Sequence, residues 1–155
     1  NNYGRIIQIS GGGATSPMPN VSAYSASKAG IVRFIETIAV ELEKFNITAN
    51  CIAPGALNTK MLEEYLEAGP EKLGEELYKK VLAQKKNGGA PIEKAVKLSV
   101  ALASENYPKL KGKLISALWD DWENFSEYKD ILNESDVYTI RRITARDRNY
   151  SWGDL

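Results

Sequence analysis

Histidine is absent from the 155 residues. That single absence removes Ser-His-Asp and Cys-His catalysis, histidine metal ligands and histidine-based pH switching. Cysteine occurs once, at Cys51, so no internal disulfide and no multi-cysteine zinc or iron–sulfur site can form, and no metal site is expected. On its apolar stretch Cys51 reads as an inert buried thiol. Net charge is lacking as well: 20 Lys and Arg balance 20 Asp and Glu, so no overall field favours nucleic acid or an anionic membrane. The longest apolar run, residues 29–40, is interrupted by Arg33 and Glu36, which excludes a membrane span there. Internal repeats, low-complexity runs and a clear linker are missing. So is an initiator Met; the chain opens on Asn1-Asn2 just before a strand, without a secretory signal, and reads as part of a longer product.

What remains is ordinary globular material, 43% hydrophobic and 26% charged, about one domain in length. Residues 5–10 (Arg-Ile-Ile-Gln-Ile-Ser) read as a buried strand ended by Gly11-Gly12-Gly13. From Ser22, a candidate N-cap, to about Phe45 the apolar residues Ile31, Phe34, Ile35, Ile38 and Leu42 recur at helical spacing. Residues 47–53 form a second strand, broken by Pro54-Gly55. Polar helices are predicted over about 60–68 and 71–86, and a third from Pro91, as its first residue, to about Ser104. Residues 113–118 read as the last strand, followed by a helix near 123–132 and a weakly specified tail. This alternation is that of a parallel sheet with covering helices and right-handed crossovers. Arg141, Arg142, Arg146 and Arg148 lie near Tyr138 and Tyr150, but Asp136, Asp147 and Asp154 dilute them, so no nucleic-acid partner is expected.

The strongest chemical feature is Tyr24-Ser25-Ala26-Ser27-Lys28. Positions i and i+4 of a helix share one face, so the phenol and the ammonium converge. A neighbouring cation favours phenolate, which suits the pair to giving and taking a proton. A surface Tyr and Lys that merely fall four apart would show the same spacing.

Its setting is more specific. Gly4-Arg5-Ile6-Ile7-Gln8-Ile9-Ser10, then Pro19, then Tyr24-Ser25-Ala26-Ser27-Lys28-Ala29, then Asn50-Cys51-Ile52-Ala53-Pro54-Gly55-Ala56-Leu57-Asn58-Thr59 resembles, in order and spacing, the short-chain dehydrogenase/reductase family. The resemblance implies an α/β fold, a Rossmann-like doubly wound parallel sheet. Only its C-terminal half would be present, about three strands with covering helices (core 4–118, extension 119–155). It implies NAD or NADP as cofactor and a small-molecule alcohol or ketone as substrate. Tyr24 would be general acid/base, with Lys28 on the nicotinamide ribose. The Pro54, Gly55, Ala56, Leu57 and Thr59 turn would lie along the nicotinamide, the Leu57 backbone contacting its carboxamide. No membrane association, a cytoplasmic location and a homodimeric or homotetrameric parent go with it. The 60s and 70s would form a flap over the substrate, although their charges equally suit solvated helix faces.

Three departures bear on activity. The family's catalytic serine precedes the tyrosine by thirteen residues, which here is Gly11. Ser10 lies one residue early, with its side chain on the other face of the strand; Thr15 or Ser16 would have to reach back from the loop. A substitute donor, a different substrate geometry and a crippled enzyme all remain open, as do a C=C reductase of the enoyl type and a silent nucleotide-binding scaffold. The glycine-rich turn of the front half is missing, so the 155 residues alone are expected to be inactive and to expose the strand at 5–10. The last strand runs into Trp119-Asp120-Asp121-Trp122, whose rings are expected to pack the tail onto the sheet.

Overall fold

The computed structural model describes residues 3–152; Asp154 of the diluted arginine patch lies outside them. Strands β1 (Gly4–Ile9), β2 (Ile47–Ala53) and β3 (Leu114–Ser116) form one parallel sheet in that order. In register, Ile6 faces Ala49, Ile9 faces Ile52, and Ile52 faces Ile115. Helix α1 (Ser22–Glu41) connects the first two strands, and α2 (Lys60–Leu73), α3 (Glu75–Asn87) and α4 (Ile92–Ala103) connect the second to the third. A short α5 (Lys129–Glu134) lies in the extension.

The period of two along β2 sets the layers. Ala49 and Cys51 pack against Val32, Ile35 and Ala39 of α1. Ile52 points the other way, into Ala95, Leu98 and Leu102 of α4 together with Ile115, Trp122, Phe125 and Leu132. Helices therefore cover both faces of the sheet, as in other α/β domains. Buried Asn50 ties β2 to the segment before β3: its Nδ2 donates to the Leu110 carbonyl at 2.8 Å, and its Oδ1 accepts from the Lys113 amide at 2.9 Å.

Several boundaries differ from the sequence reading. The N-cap of α1 is Val21, without a side-chain cap bond, so Ser22 is the first helical residue and not the cap. The helix stops at Glu41, and turns carry the chain to β2. Pro91 is likewise the N-cap of α4 instead of its first residue. The break predicted near residue 69 is a kink: Gly69 takes φ 74° just before Pro70, and α2 resumes to Leu73. The last strand is shorter than 113–118, and the helix placed at 123–132 is a 3-10 turn (Trp122–Asn124) followed by α5. Of the two tryptophans that flank Asp120-Asp121, Trp122 is buried and donates its indole N–H to the Ala117 carbonyl, whereas Trp119 is 84% exposed and packs nothing down.

Candidate active site

Tyr24 and Lys28 lie on the first two turns of α1, beside the carboxyl end of β1. Lys28 Nζ stands 5.7 Å from the centroid of the Tyr24 ring, so phenol and ammonium share one face. The ammonium also reaches the Ile9 carbonyl at 3.5 Å, which leaves two of its three donors free of any hydrogen bond to the chain among the described residues. Both side chains are half-buried.

The glycine run after β1 fits against this pair. A Cβ on Gly11 would lie 2.6 Å from the Tyr24 hydroxyl, and one on Gly13 would lie 3.0 Å from Ser25 Oγ and 3.1 Å from the Tyr24 ring. Residues 12–14 form a 3-10 turn closed by the Ala14 amide on the Gly11 carbonyl at 3.0 Å. Two of the three glycines thus serve close approach, which the sequence reading had treated as punctuation. Ser10 is buried and turned under α1, where its hydroxyl donates to the Lys28 carbonyl at 3.3 Å. The structure therefore places Ser10 on the backbone side of the helix. Thr15 and Ser16 are exposed on the loop.

The Pro54–Thr59 turn leaves β2 at the same carboxyl edge. Pro54 is buried, and Gly55 takes φ 94° with Leu118 Cδ1 2.5 Å and Ala90 Cβ 2.9 Å from where a Cβ would stand. The turn is clasped from the end of α3 and the residue that precedes Pro91. The Ala90 amide donates to the Ala56 carbonyl at 2.9 Å, and Gln84 Nε2 donates to the Leu57 carbonyl at 3.0 Å. The Leu57 amide folds back on the Gly55 carbonyl at 3.1 Å. Thr59 is the N-cap of α2 and makes no side-chain cap bond.

Helix α2 starts from this turn and ends beside the loop that leads into Tyr24. There Asn20, at φ 67°, donates from Nδ2 to the Leu73 carbonyl at 2.7 Å. Asparagine tolerates that left-handed conformation better than most residues, the one sequence signal for this anchor. A cleft of about 700 Å³ lies elsewhere, between α1 and the tail, bordered by Glu36, Lys111, Asn133 and Arg141; neither Tyr24, Lys28 nor the 54–59 turn lines it. Among the described residues no group of three or more His, Cys, Asp or Glu is placed to hold a metal ion.

Parallel strands covered on both faces, with polar side chains gathered at their carboxyl ends, define an α/β domain of the Rossmann-like class, of which this is a part. The comparisons narrow the class. The family model described as short chain dehydrogenase matches residues 1–69. The 3-oxoacyl-[acyl-carrier-protein] reductase MabA of Mycobacterium tuberculosis is 35% identical over 118 residues, 74% of this chain and 44% of that protein. The D-beta-hydroxybutyrate dehydrogenase of Cupriavidus necator is 30% identical over 123 residues, 76% and 46% of the two chains. Among solved structures, YwfH, an NADPH-dependent reductase of bacilysin biosynthesis, superposes with a TM-score of 0.61 at 30% identity, covering 76% of this chain and 46% of that one. The chain is thus similar to short-chain dehydrogenases and reductases, and spans just under half the length of these relatives.

Proposed function

We propose that this chain carries the catalytic Tyr/Lys pair of an NAD- or NADP-dependent oxidoreductase acting on a carbonyl or alcohol carbon. The observation that carries the reading is the approach of the Lys28 ammonium to the Tyr24 ring, beside the ends of β1 and β2 and the Pro54–Thr59 turn. The donor set suits a nicotinamide riboside: an ammonium with uncommitted donors, a phenol, and a Thr59 hydroxyl not spent on capping α2. Leu57 is less ready for the carboxamide, because its amide is engaged within the turn; its carbonyl, which accepts from Gln84, keeps a second lone pair.

When bound, the nicotinamide supplies or accepts the hydride. Tyr24 then gives its proton to the oxygen of a carbonyl substrate, or takes it from an alcohol in the reverse direction. Lys28, whose ammonium lies 5.7 Å from the Tyr24 ring centroid, would hold the ribose hydroxyls beside the phenol. The clasp by Gln84 and Ala90 fixes the turn of residues 54–59, which would border the cofactor.

The test is turnover of the protein in its native length, followed as loss of reduced-cofactor absorbance with a panel of ketones. Tyr24→Phe is expected to lower kcat by about a hundred- to ten-thousand-fold while cofactor binding persists. Unchanged turnover in that variant, or cofactor binding with no turnover in the wild type on ketones or enoyl compounds, would overturn the reading.

A further inference from the structure

Neither Gly11 nor Gly13 is a glycine because of its backbone. Gly11 has φ 176°, an extended conformation open to any residue, and Gly13 takes no left-handed φ. What a side chain would lack at both positions is space. The Cβ position of Gly11 lies 2.6 Å from the Tyr24 hydroxyl, and that of Gly13 lies 3.1 Å from the edge of the same ring, with the Ser25 backbone at 3.2 Å. The phenol thus lies against the glycine turn, its oxygen in the volume that a side chain at position 11 would fill. Turn and helix are held together at this point. The Ser10 amide donates to the Ile52 carbonyl at 2.8 Å, which fixes the end of β1. The Ser10 hydroxyl and the Lys28 ammonium then bond across in opposite directions, to the Lys28 and Ile9 carbonyls. The Ala14 amide closes the turn on the Gly11 carbonyl at 3.0 Å.

We propose that Gly11 is a positioning residue of this site: its missing side chain leaves the seat in which the Tyr24 hydroxyl stands, and Gly13 closes that seat along the ring. This deepens the proposed function and rests on it. Glycine at position 11 is then a requirement of where the phenol stands, and the site is built around it. Any side chain there drives the phenol oxygen from 2.6 Å to at least the 3.4 Å of ordinary contact. The clash is with Cβ itself, so no rotamer of an added hydroxyl relieves it. Because the oxygen is the free end of a side chain, the fold yields at little cost. A proton donor displaced by that much is nonetheless out of place for transfer. Gly11→Ser therefore lowers turnover, although it supplies a hydroxyl.

Two measurements test it. In the native-length protein, Gly11→Ser and Gly11→Ala are each expected to lower kcat about a hundredfold, with little change in KM or in the urea midpoint of unfolding. Gly12→Ala, in the same turn with nothing within 4 Å of its Cβ position, is expected to match wild type. Turnover in Gly11→Ser at or above the wild-type rate overturns the seat and leaves the proposed function standing. So does a fall in kcat that Gly12→Ala shares, or one that comes with loss of the fold, which would make position 11 structural. Unchanged turnover in Tyr24→Phe strikes the proposed function itself. The second measurement needs neither turnover nor a substitution. In the wild-type protein, NMR is expected to show a nuclear Overhauser effect between the α protons of Gly11 and the ring protons of Tyr24. Its absence overturns the seat, whatever the variants do.

Discussion

At Cys51 the environment decides what the side chain can do. The residue is fully buried, and burial first, then the charge of Glu36, lifts the thiol from 9.0 to about 12, against a smaller opposing pull from Lys28. The inert thiol expected from an apolar strand is thus given a cause. The sign follows from linkage: an acid whose folded value lies above its unfolded value contributes stability that is complete below about pH 9. That contribution is lost as pH rises toward 12. Urea unfolding between pH 8 and 11 is expected to show stability falling over that window, with the fall shallower in Cys51→Ala. The limiting slope for one proton is about 1.4 kcal/mol per pH unit. Tyr24 and Lys28 were legible from spacing because a helix converts four residues into one face. The anchor at Asn20 was not, because it depends on where α2 ends, at Leu73.

At the scale of elements, the Pro54–Thr59 turn shows what the sequence conveyed and what it left out. Pro54-Gly55 announced the end of β2, and the strand ends where expected. The clasp by Gln84 and Ala90 was invisible, because it joins residues more than twenty apart. Gly55 is the point where the clasp and the segment just after β3 close in, at a positive φ and with Leu118 and Ala90 in the space of a Cβ. Gly55→Ala is therefore expected to destabilise the fold by about 1–3 kcal/mol in denaturant unfolding. Gly12→Ala is the control, since nothing lies within 4 Å of its Cβ position, and it should be near neutral. Strands β1 and β2 were read to within a residue from their apolar runs, but only β2 is buried along its length; β1, read as a buried strand, is the sheet margin, half-buried with Ile6 and Ile9 exposed. Helix ends were read less well: the caps of α1 and α4 are Val21 and Pro91, which satisfy no amide through a side chain and so carry no signature.

For the whole molecule, the tail was the part least legible, and the structure shows why. Few of its residues follow a period; it is placed by long-range polar contacts. The Leu114 amide donates to the Tyr138 carbonyl at 2.8 Å, along the outer side of β3. Buried Lys113 donates to the Ser135 and Val137 carbonyls at 2.8 and 3.0 Å. Glu36 Oε1 accepts from the Ile140 amide at 2.6 Å, while its Oε2 pairs with Arg33 at 2.8 Å as an ion pair without hydrogen-bond alignment. Arg141 is taken up by Asp147 at 2.7 and 2.8 Å, so this arginine serves the tail's own fold. Glu36→Ala leaves a partly buried amide without its acceptor, at an expected cost of about 1–3 kcal/mol, and the Ile140 and Leu114 amides should lose hydrogen-exchange protection. Glu36→Gln, which keeps the acceptor, should restore most of it.

The opposite margin of the sheet is treated differently. Among the described residues β1 is laddered to β2 alone, with Ile6 and Ile9 exposed along it. A strand arriving from elsewhere, in this polypeptide or another, would find free backbone partners and an apolar welcome beside β1, and would be refused at β3, where Tyr138 already holds the place. The sheet can lengthen in one direction only.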